Sequence, residues 1–318
     1  MKIVLLSLLF VITLWADAHI FVYHRFGDSR YPSTNTTKKE LEKEFNYFKT
    51  HGYKIIPLEK LVSALKKKKT IPDNWVVLTI DDNFRSFYDN GLEIFKKFKY
   101  PFSLFVYVEA TQKNYPDYLS WSQLREISEY GSLEFHSYRH PHMTKISDKR
   151  LEEDFKKGLN LFRKALHVEP KYFTYPYGEY TNRVKNIAKK FKFDAILNQN
   201  VGAINNNSDI FDLNRNALVG KTNLKLLLKY KFLQATWIEP TAFPEDSVLR
   251  ALHVEIKKDV KNAGLYISGN GWEKIPIKNS EINIVLNKKL TKKRSRIIIS
   301  VKNRISTKLL IKDKYGTK

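Results

Sequence analysis

Residues 75–108, WVVLTIDDNFRSFYDNGLEIFKKFKYPFSLFVYV, hold the pattern that decides the fold. Residues 75–80 form a short apolar run of strand length, closed by two carboxylates, Asp81 and Asp82. Residues 87–98 then read as an amphipathic helix, and residues 102–108 as a second apolar strand. Strand, helix and strand in about thirty residues make the crossover unit of a parallel sheet.

The same alternation extends in both directions. Strand-like stretches fall at 19–24, 53–56, 132–136, 172–175 and 193–197, with helix-like segments at 38–50, 58–67, 120–130, 148–166 and 181–191. Thr37, Ser120 and either Ser147 or Asp148 suit helix N-caps. Leu151, Phe155, Leu159 and Phe162 recur at helical spacing and face a core. Seven such strands without a G-x-G-x-x-G turn point to a closed or nearly closed β/α barrel rather than a nucleotide-binding sheet.

After Pro240 and Pro244 the pattern changes to short strands at 252–256, 264–268, 282–286, 296–301 and 308–311. The expected division is therefore a leader over 1–18, a barrel over 19–245 and a small basic all-β domain over 246–318. The leader reading rests on Lys2, an apolar run over 3–15 broken only by Ser7 and Thr13, and the small-x-small pattern Ala16-Asp17-Ala18. The run is short for a membrane span and has the layout of a signal peptide, cleaved after Ala18 to leave His19 first. An uncleaved membrane anchor is the competing reading. Both place the protein outside the cytoplasm, secreted or periplasmic.

The formal net charge is +23, and residues 250–318 alone carry 18 Lys/Arg against 5 Asp/Glu. Such a field permits contact with an anionic surface through the C-terminal segment. No nucleic-acid-binding motif accompanies it, so nucleic acid is not an expected partner. Cysteine is absent, so disulfides are excluded and any metal site must use His and carboxylate ligands.

Catalytic groups on β/α barrels gather at the C-terminal ends of strands. Here the strand ends carry His24-Arg25, Asp81-Asp82, His136 to His140, and Pro176-Tyr177-Gly178. His136 and His140 are four apart, a spacing that one helical turn would bring to the same side. Two imidazoles and a carboxylate suit a divalent ion with open positions for water and substrate. H-x-x-x-H by itself is common by chance, and a paired Asp81-Asp82 could equally end a strand or cap a helix. His142 reads as a surface or supporting histidine.

Taken together, Thr79-Ile80-Asp81-Asp82-Asn83, His136-Ser137-Tyr138-Arg139-His140 and Phe173-Thr174-Tyr175-Pro176-Tyr177-Gly178 resemble the three ordered motifs of the polysaccharide deacetylase (NodB-homology) family: T-F-D-D-G, H-[ST]-x-x-H and P-Y-G. The resemblance covers residues 19–218 and implies a distorted seven-stranded (β/α) barrel. It implies Asp82, His136 and His140 as ligands of a divalent metal, zinc first, with nickel, cobalt or iron as alternatives. It implies Asp81 as the general base and the backbone N–H of Tyr177 as an oxyanion donor. The opening Phe21-Val22-Tyr23-His24 and the third motif F-x-Y-P-Y-G resemble the bacterial branch acting on poly-N-acetylglucosamine, which makes His24 the candidate general acid.

Two positions depart from the family pattern. Asn83 stands where the first motif has Gly, and Thr174 where many members carry Arg. His253 falls beyond the barrel. Tyr138, Tyr175, Tyr180 and Trp121 are either sugar-stacking rings or core. The implied activity is metal-dependent removal of N-acetyl groups from a hexosamine polymer. Peptidoglycan or another surface glycan, a lipid-linked sugar, and a non-catalytic carbohydrate-binding role on the same fold are the alternatives.

Overall fold

In a computed structural model of the chain, residues 17–220, 222–257 and 260–316 are described. The barrel is a parallel sheet of β1 (His19–Tyr23), β2 (Trp75–Asp81), β3 (Ser103–Val106), β4 (Ser132–Phe135), β5 (Tyr172–Thr174), β6 (Ala195–Leu197) and β7 (Asn216–Ala217). Their spatial order is β7-β1-β2-β3-β4-β5-β6, with every neighbouring pair parallel. The segment entering β7 also reaches the far edge, where Leu213 bridges Leu197 and its N–H donates to Ile196 O at 3.0 Å. The sheet therefore comes round on itself through residues 213–217.

This is the expected seven-stranded distorted barrel with one change of membership. The stretch expected over 53–56 contributes only Lys54–Ile55, paired to the start of β2. The seventh member is instead β7, which is two residues long and too short to display a period of two.

Strand β2 is buried from Val76 to Asp81, as a parallel strand covered on both faces must be. Around the sheet lie α1 (Lys38–Thr50), α2 (Leu58–Lys66), α3 (Leu92–Phe98), α4 (Trp121–Ile127), α5 (Asp148–Leu166) and α6 (Asn182–Lys189). Thr37 and Glu40 close a capping box on α1, and Ser120 and Gln123 one on α4, fixing both helix starts. Ser147 is the N-cap position of α5. Leu151, Phe155, Leu159, Phe162 and Leu166 all point from α5 into the core. Phe135, Phe155, Phe173 and Phe193 pack there as one ring cluster, with centroids 4.8–6.2 Å apart.

Glu134 is a carboxyl group on the buried side of β4, 3% exposed, accepting from the N–H groups of Lys171 and Tyr172 at 2.8 and 2.9 Å. Burial pushes its pKa up to about 8, against the lowering effect of those two bonds. The folded chain thus holds a proton that the unfolded chain releases near the ordinary value of 4.5. Its contribution falls as pH rises between those two values. Glu134→Gln keeps an acceptor for both N–H groups and removes the titration. We expect a flatter melting temperature from pH 5 to pH 8.5 in the variant, with the wild type losing about 2–4 °C more for each kcal/mol involved; equal slopes would contradict this.

The C-terminal part is a sandwich of β8 (Ala235–Glu239), β9 (Val248–Ile256), β10 (Asn262–Ile267), β11 (Gly271–Pro276), β12 (Glu281–Lys289), β13 (Arg294–Val301) and β14 (Arg304–Ile311). One sheet runs β8-β9-β12, and the other runs from Lys231–Phe232 through β14, β13 and β10 to β11. Leu252, Val254, Leu265, Ile297 and Ile299 belong to the single core between them. Pairing reaches back across the boundary expected at 245/246, since β8 and Lys231–Phe232 both join this unit. Pro240 and Pro244 lie in the loop between β8 and β9 rather than between domains.

The sandwich is fastened to the barrel by polar contacts. Arg183 pairs with Asp313 at 2.9 Å, Thr307 Oγ1 donates to Val201 O at 2.8 Å, and Arg296 donates to Gln199 O at 3.1 Å. Arg294, Arg296, Arg304 and Lys308 are only partly exposed, so some of the basic excess is used against the barrel. Of the leader expected over 1–18, residues 1–16 lie outside the described residues, and only Asp17 and Ala18 are described. Both of these are buried in the fold. Ala18 exchanges two 2.8 Å backbone bonds with Ile204, and Asp17 lies 3.8 Å from Arg304. Cleavage after Ala18 would remove those contacts. Among the described residues no helix is long and apolar enough to cross a membrane.

Candidate active site

Strand ends β1, β2, β4 and β5 deliver His24, Asp81-Asp82, His136 and the P-Y-G turn to one end of the barrel. His136 Nε2 and His140 Nε2 are 3.2 Å apart, and Asp82 Oδ1 lies 3.3 Å from the first and 3.0 Å from the second. Ligands held about 2.0–2.2 Å from a tetrahedral ion sit about 3.3–3.6 Å from one another. The three atoms lie within a few tenths of an ångström of that spacing, so a slight spreading would seat a single divalent cation. Their chemistry agrees, because Asp82 Oδ1 is buried and no N–H is directed at it. Two imidazole nitrogens and a carboxylate oxygen at such distances repel unless a cation or shared proton lies between them.

Residues around the triad set its orientation. His136 Nδ1 lies 2.8 Å from Thr174 O and 2.6 Å from Thr174 Oγ1, which leaves Nε2 free to point at the ion position. The residue that replaces the expected Arg thus orients the candidate ligand His136. Asp154, on α5, accepts from the N–H groups of Tyr138 and Arg139, both at 2.9 Å, and fixes the loop carrying His140.

The one-turn helix anticipated between His136 and His140 is absent. The segment is a loop in which Ser137 and His140 adopt left-handed φ of 72° and 50°, and Ser137 Oγ caps the His140 N–H at 2.9 Å. Asp82, Asn83 and Tyr177 are also left-handed, so backbone strain concentrates around the site. Asn83 tolerates that conformation in place of Gly, and its amide ties down Tyr107 N at 2.7 Å and Thr111 Oγ1 at 3.0 Å.

Asp81 is fully buried and faces Arg215, also fully buried, in a two-pronged pair with both N···O distances 2.7 Å. Burial alone would raise the Asp81 pKa. The Arg215 charge, followed by His136, overcomes burial and holds the carboxyl below its usual range. Arg215 arrives on the segment that closes the barrel, from outside all three motifs. Its only trace in the sequence is an arginine in a polar stretch beside the two-residue β7, Asn214-Arg215-Asn216. Asp154 left a clearer one, an acidic residue on the apolar face of α5 beside Leu151 and Phe155.

His24 is half-buried beside Asp81, Asp82 and Arg215. Burial lowers its pKa, outweighing the two carboxylates. Its Nδ1 is buried without a partner, and Gln199 Nε2 lies 3.5 Å from its Nε2 and 3.4 Å from Asp81 Oδ2. Gly178 is required where it stands, with φ 61° and Gln199 Cβ only 2.7 Å from where a side chain would begin.

The Tyr177 ring, 42% exposed, lies edge-on to His140 at 4.4 Å and stacks on His142 at 4.2 Å. His142 in turn pairs with Glu179 at 2.7 Å. With Tyr107, whose ring is 5.4 Å from His140, Tyr177 forms the aromatic mouth. The four rings weighed for that part lie elsewhere. Tyr138 and Tyr175 are buried, Tyr180 stacks on Tyr175 at 4.6 Å, and Trp121 packs against the core. His253 lies on β9 of the sandwich, outside the site.

This is the architecture of a β/α barrel with three residues able to hold a metal ion next to a charged carboxylate. Residues 67–196 match the sequence profile of the polysaccharide deacetylase family. A Staphylococcus aureus protein named poly-beta-1,6-N-acetyl-D-glucosamine N-deacetylase is 24% identical over 171 residues, 50% of this chain and 59% of that one. The chain thus spans under two thirds of the length of that relative. A Bacillus subtilis protein provisionally named polysaccharide deacetylase YxkH is 21% identical over 201 residues, 63% of this chain and 71% of that one. The solved Streptococcus pyogenes deacetylase PplD, in complex with acetate, superposes with a TM-score of 0.62 at 20% identity, covering 68% of this chain and 98% of that one. That likeness establishes the shared barrel.

Proposed function

We propose that the protein is a metal-dependent de-N-acetylase of a hexosamine polysaccharide, with poly-N-acetylglucosamine as the first substrate to test, acting outside the cytoplasm. The observation that carries this reading is the pairing of Asp81 with Arg215 directly beside the Asp82–His136–His140 cluster. A carboxylate kept ionised by a fixed guanidinium, yet touching a metal centre, is placed to take a proton there.

Zinc or a similar divalent ion bound by Asp82, His136 and His140 supplies Lewis acidity and brings the pKa of a water near neutrality. Asp81 receives the proton of the attacking water. The N–H of Tyr177, on the rigid left-handed P-Y-G turn, faces the oxygen on which negative charge develops. His24, beside Asp81 and within 3.5 Å of Gln199, delivers a proton to the departing amine as the C–N bond breaks, leaving acetate and a free amino group. Burial lowers the His24 pKa, so the imidazole rests neutral and the proton it delivers is the one that Asp81 took from the water, which keeps the protons in balance. The staphylococcal relative's name supports the choice of polymer, and the intact base and ligand set favours an enzyme over a non-catalytic glycan-binding protein.

The test is acetate release from β-1,6-linked N-acetylglucosamine oligomers with metal present, compared with Asp81→Asn. We expect the variant to fall by roughly 10²–10⁴-fold, the scale of general acid–base catalysis. Equal, background-level acetate from both proteins would sink the reading. Release from peptidoglycan fragments but not from these oligomers would transfer the activity to another surface glycan.

A further inference from the structure

Strands β10, β11 and β13 of the sandwich present an outer face that carries an exposed tryptophan braced by a tyrosine. Register places Tyr266 opposite both Trp272 and Ile298, and Gly264 opposite both Lys274 and Ser300, so all six side-chain positions share that face. Trp272 is 57% exposed, an unusual position for a large aromatic in a soluble domain. Its ring is braced by Tyr266, with centroids 5.3 Å apart and planes at 45°. Gly264 provides the flat floor beside it: a side chain there would begin 2.5 Å from Ser300 Oγ and 3.4 Å from the indole. An open depression of about 430 Å³ results, bordered by Asn262, Glu273, Lys274, Ser300 and Lys302, with the Glu273 carboxylate paired to Lys288 at 2.8 Å.

The face is continuous with the active-site wall. Arg296 lies two residues from Ile298 on the same side of β13 and donates to Gln199 O at 3.1 Å. Gln199 is the residue whose amide reaches Asp81. Trp272 stands two strands away from Arg296, roughly 10 Å across the sheet. A polymer leaving the catalytic end in this direction would run onto the indole.

Resting on the deacetylase reading above, we infer that the Trp272–Tyr266 face is a second glycan-binding site, holding an N-acetylated stretch of the same polymer whose neighbouring sugar is in the barrel. The C–H face of a pyranose ring is apolar and matches an exposed indole, while its hydroxyl and acetamido groups meet Asn262 and Ser300. Lys274 and Lys302 are both exposed at the rim and make the site selective. An N-acetylated chain is neutral, whereas each deacetylated sugar carries an ammonium that these lysines repel. The sandwich therefore retains unreacted polymer and lets product go.

The test measures equilibrium binding to the full chain carrying Asp81→Asn, so that no substrate is consumed and acetate release is not the readout. With fully N-acetylated β-linked glucosamine oligomers of increasing length, affinity rises once the oligomer reaches past the barrel. Adding Trp272→Ala removes that rise, a loss of roughly tenfold for one ring stack of about 1.4 kcal/mol, and Trp272→Phe restores most of it. Chemically deacetylated oligomers of the same length bind more weakly, and added salt narrows the difference. Length-independent binding, or a Trp272→Ala chain that still gains with length, overturns the site. Equal binding of the deacetylated oligomers at low salt overturns its selectivity. A wild type that releases no acetate, together with the length effect and its loss in Trp272→Ala, would refute the proposed activity and leave this site standing.

Discussion

Arg215→Ala should both destabilise the chain and move its activity to higher pH. The guanidinium is entirely enclosed and, besides the two 2.7 Å bonds to Asp81, donates to Asn198 O at 2.7 Å and Thr79 Oγ1 at 3.2 Å. Its removal strands a buried carboxylate and two acceptors, a change that typically costs about 3–5 kcal/mol. Without the positive charge, burial becomes the dominant influence on Asp81, and its pKa rises. The base is then protonated at pH values where the wild type has it ionised. The acid limb of the rate–pH profile must therefore shift upward, with the loss greatest at low pH and partly recovered at high pH. Arg215→Lys keeps the charge but loses the fork, so its limb should lie between the two. Thermal melts and rate–pH profiles of the three proteins check this. A uniform loss at every pH would show that Arg215 matters for folding only.

Loss of a metal ligand should be as severe, through a different route. His136→Ala or Asp82→Asn is expected to cut bound divalent metal from about one ion per chain to a small fraction and to lower acetate release by roughly 10²–10³-fold. A chelator should do the same to the wild type, and added divalent ion should reverse it only there. Removing the support without the ligand gives a graded effect. Asp154→Asn turns one acceptor of the Tyr138 and Arg139 N–H groups into a donor, and metal affinity should fall about 10–100-fold. Elemental analysis and competition with a metal indicator measure both. Full activity in metal-free His136→Ala would dismiss the centre.

The parts of this site that were readable in the sequence are those carried by one strand end and its next few residues. Asp81 and Asp82 end an apolar run too strongly patterned to be anything but a strand, and His136 to His140 and Pro176 to Gly178 do likewise. Even there the local geometry was misjudged, because the His136–His140 spacing is closed by left-handed Ser137 and His140 rather than by a turn of helix. Arg215 was unreadable for a different reason. Its strand is two residues long, its neighbours are polar, and its partner is 134 residues away. The aromatics divide similarly: Tyr175 and Tyr180 lie beside a motif yet fill the core, while Trp272 lies in a strand that no periodicity announced. Burial decides such cases, and burial depends on what the rest of the chain places opposite.

Closure of the barrel and the charge state of Asp81 depend on the same short segment. The segment 213–217 is the last part of the ring in chain order, and it both bridges β6 to β1 and carries Arg215. Without that segment Asp81 has no guanidinium beside it, and burial by the rest of the barrel acts only to raise its pKa. Closing the ring and pairing the Asp81 carboxylate are therefore one event, done by the same five residues.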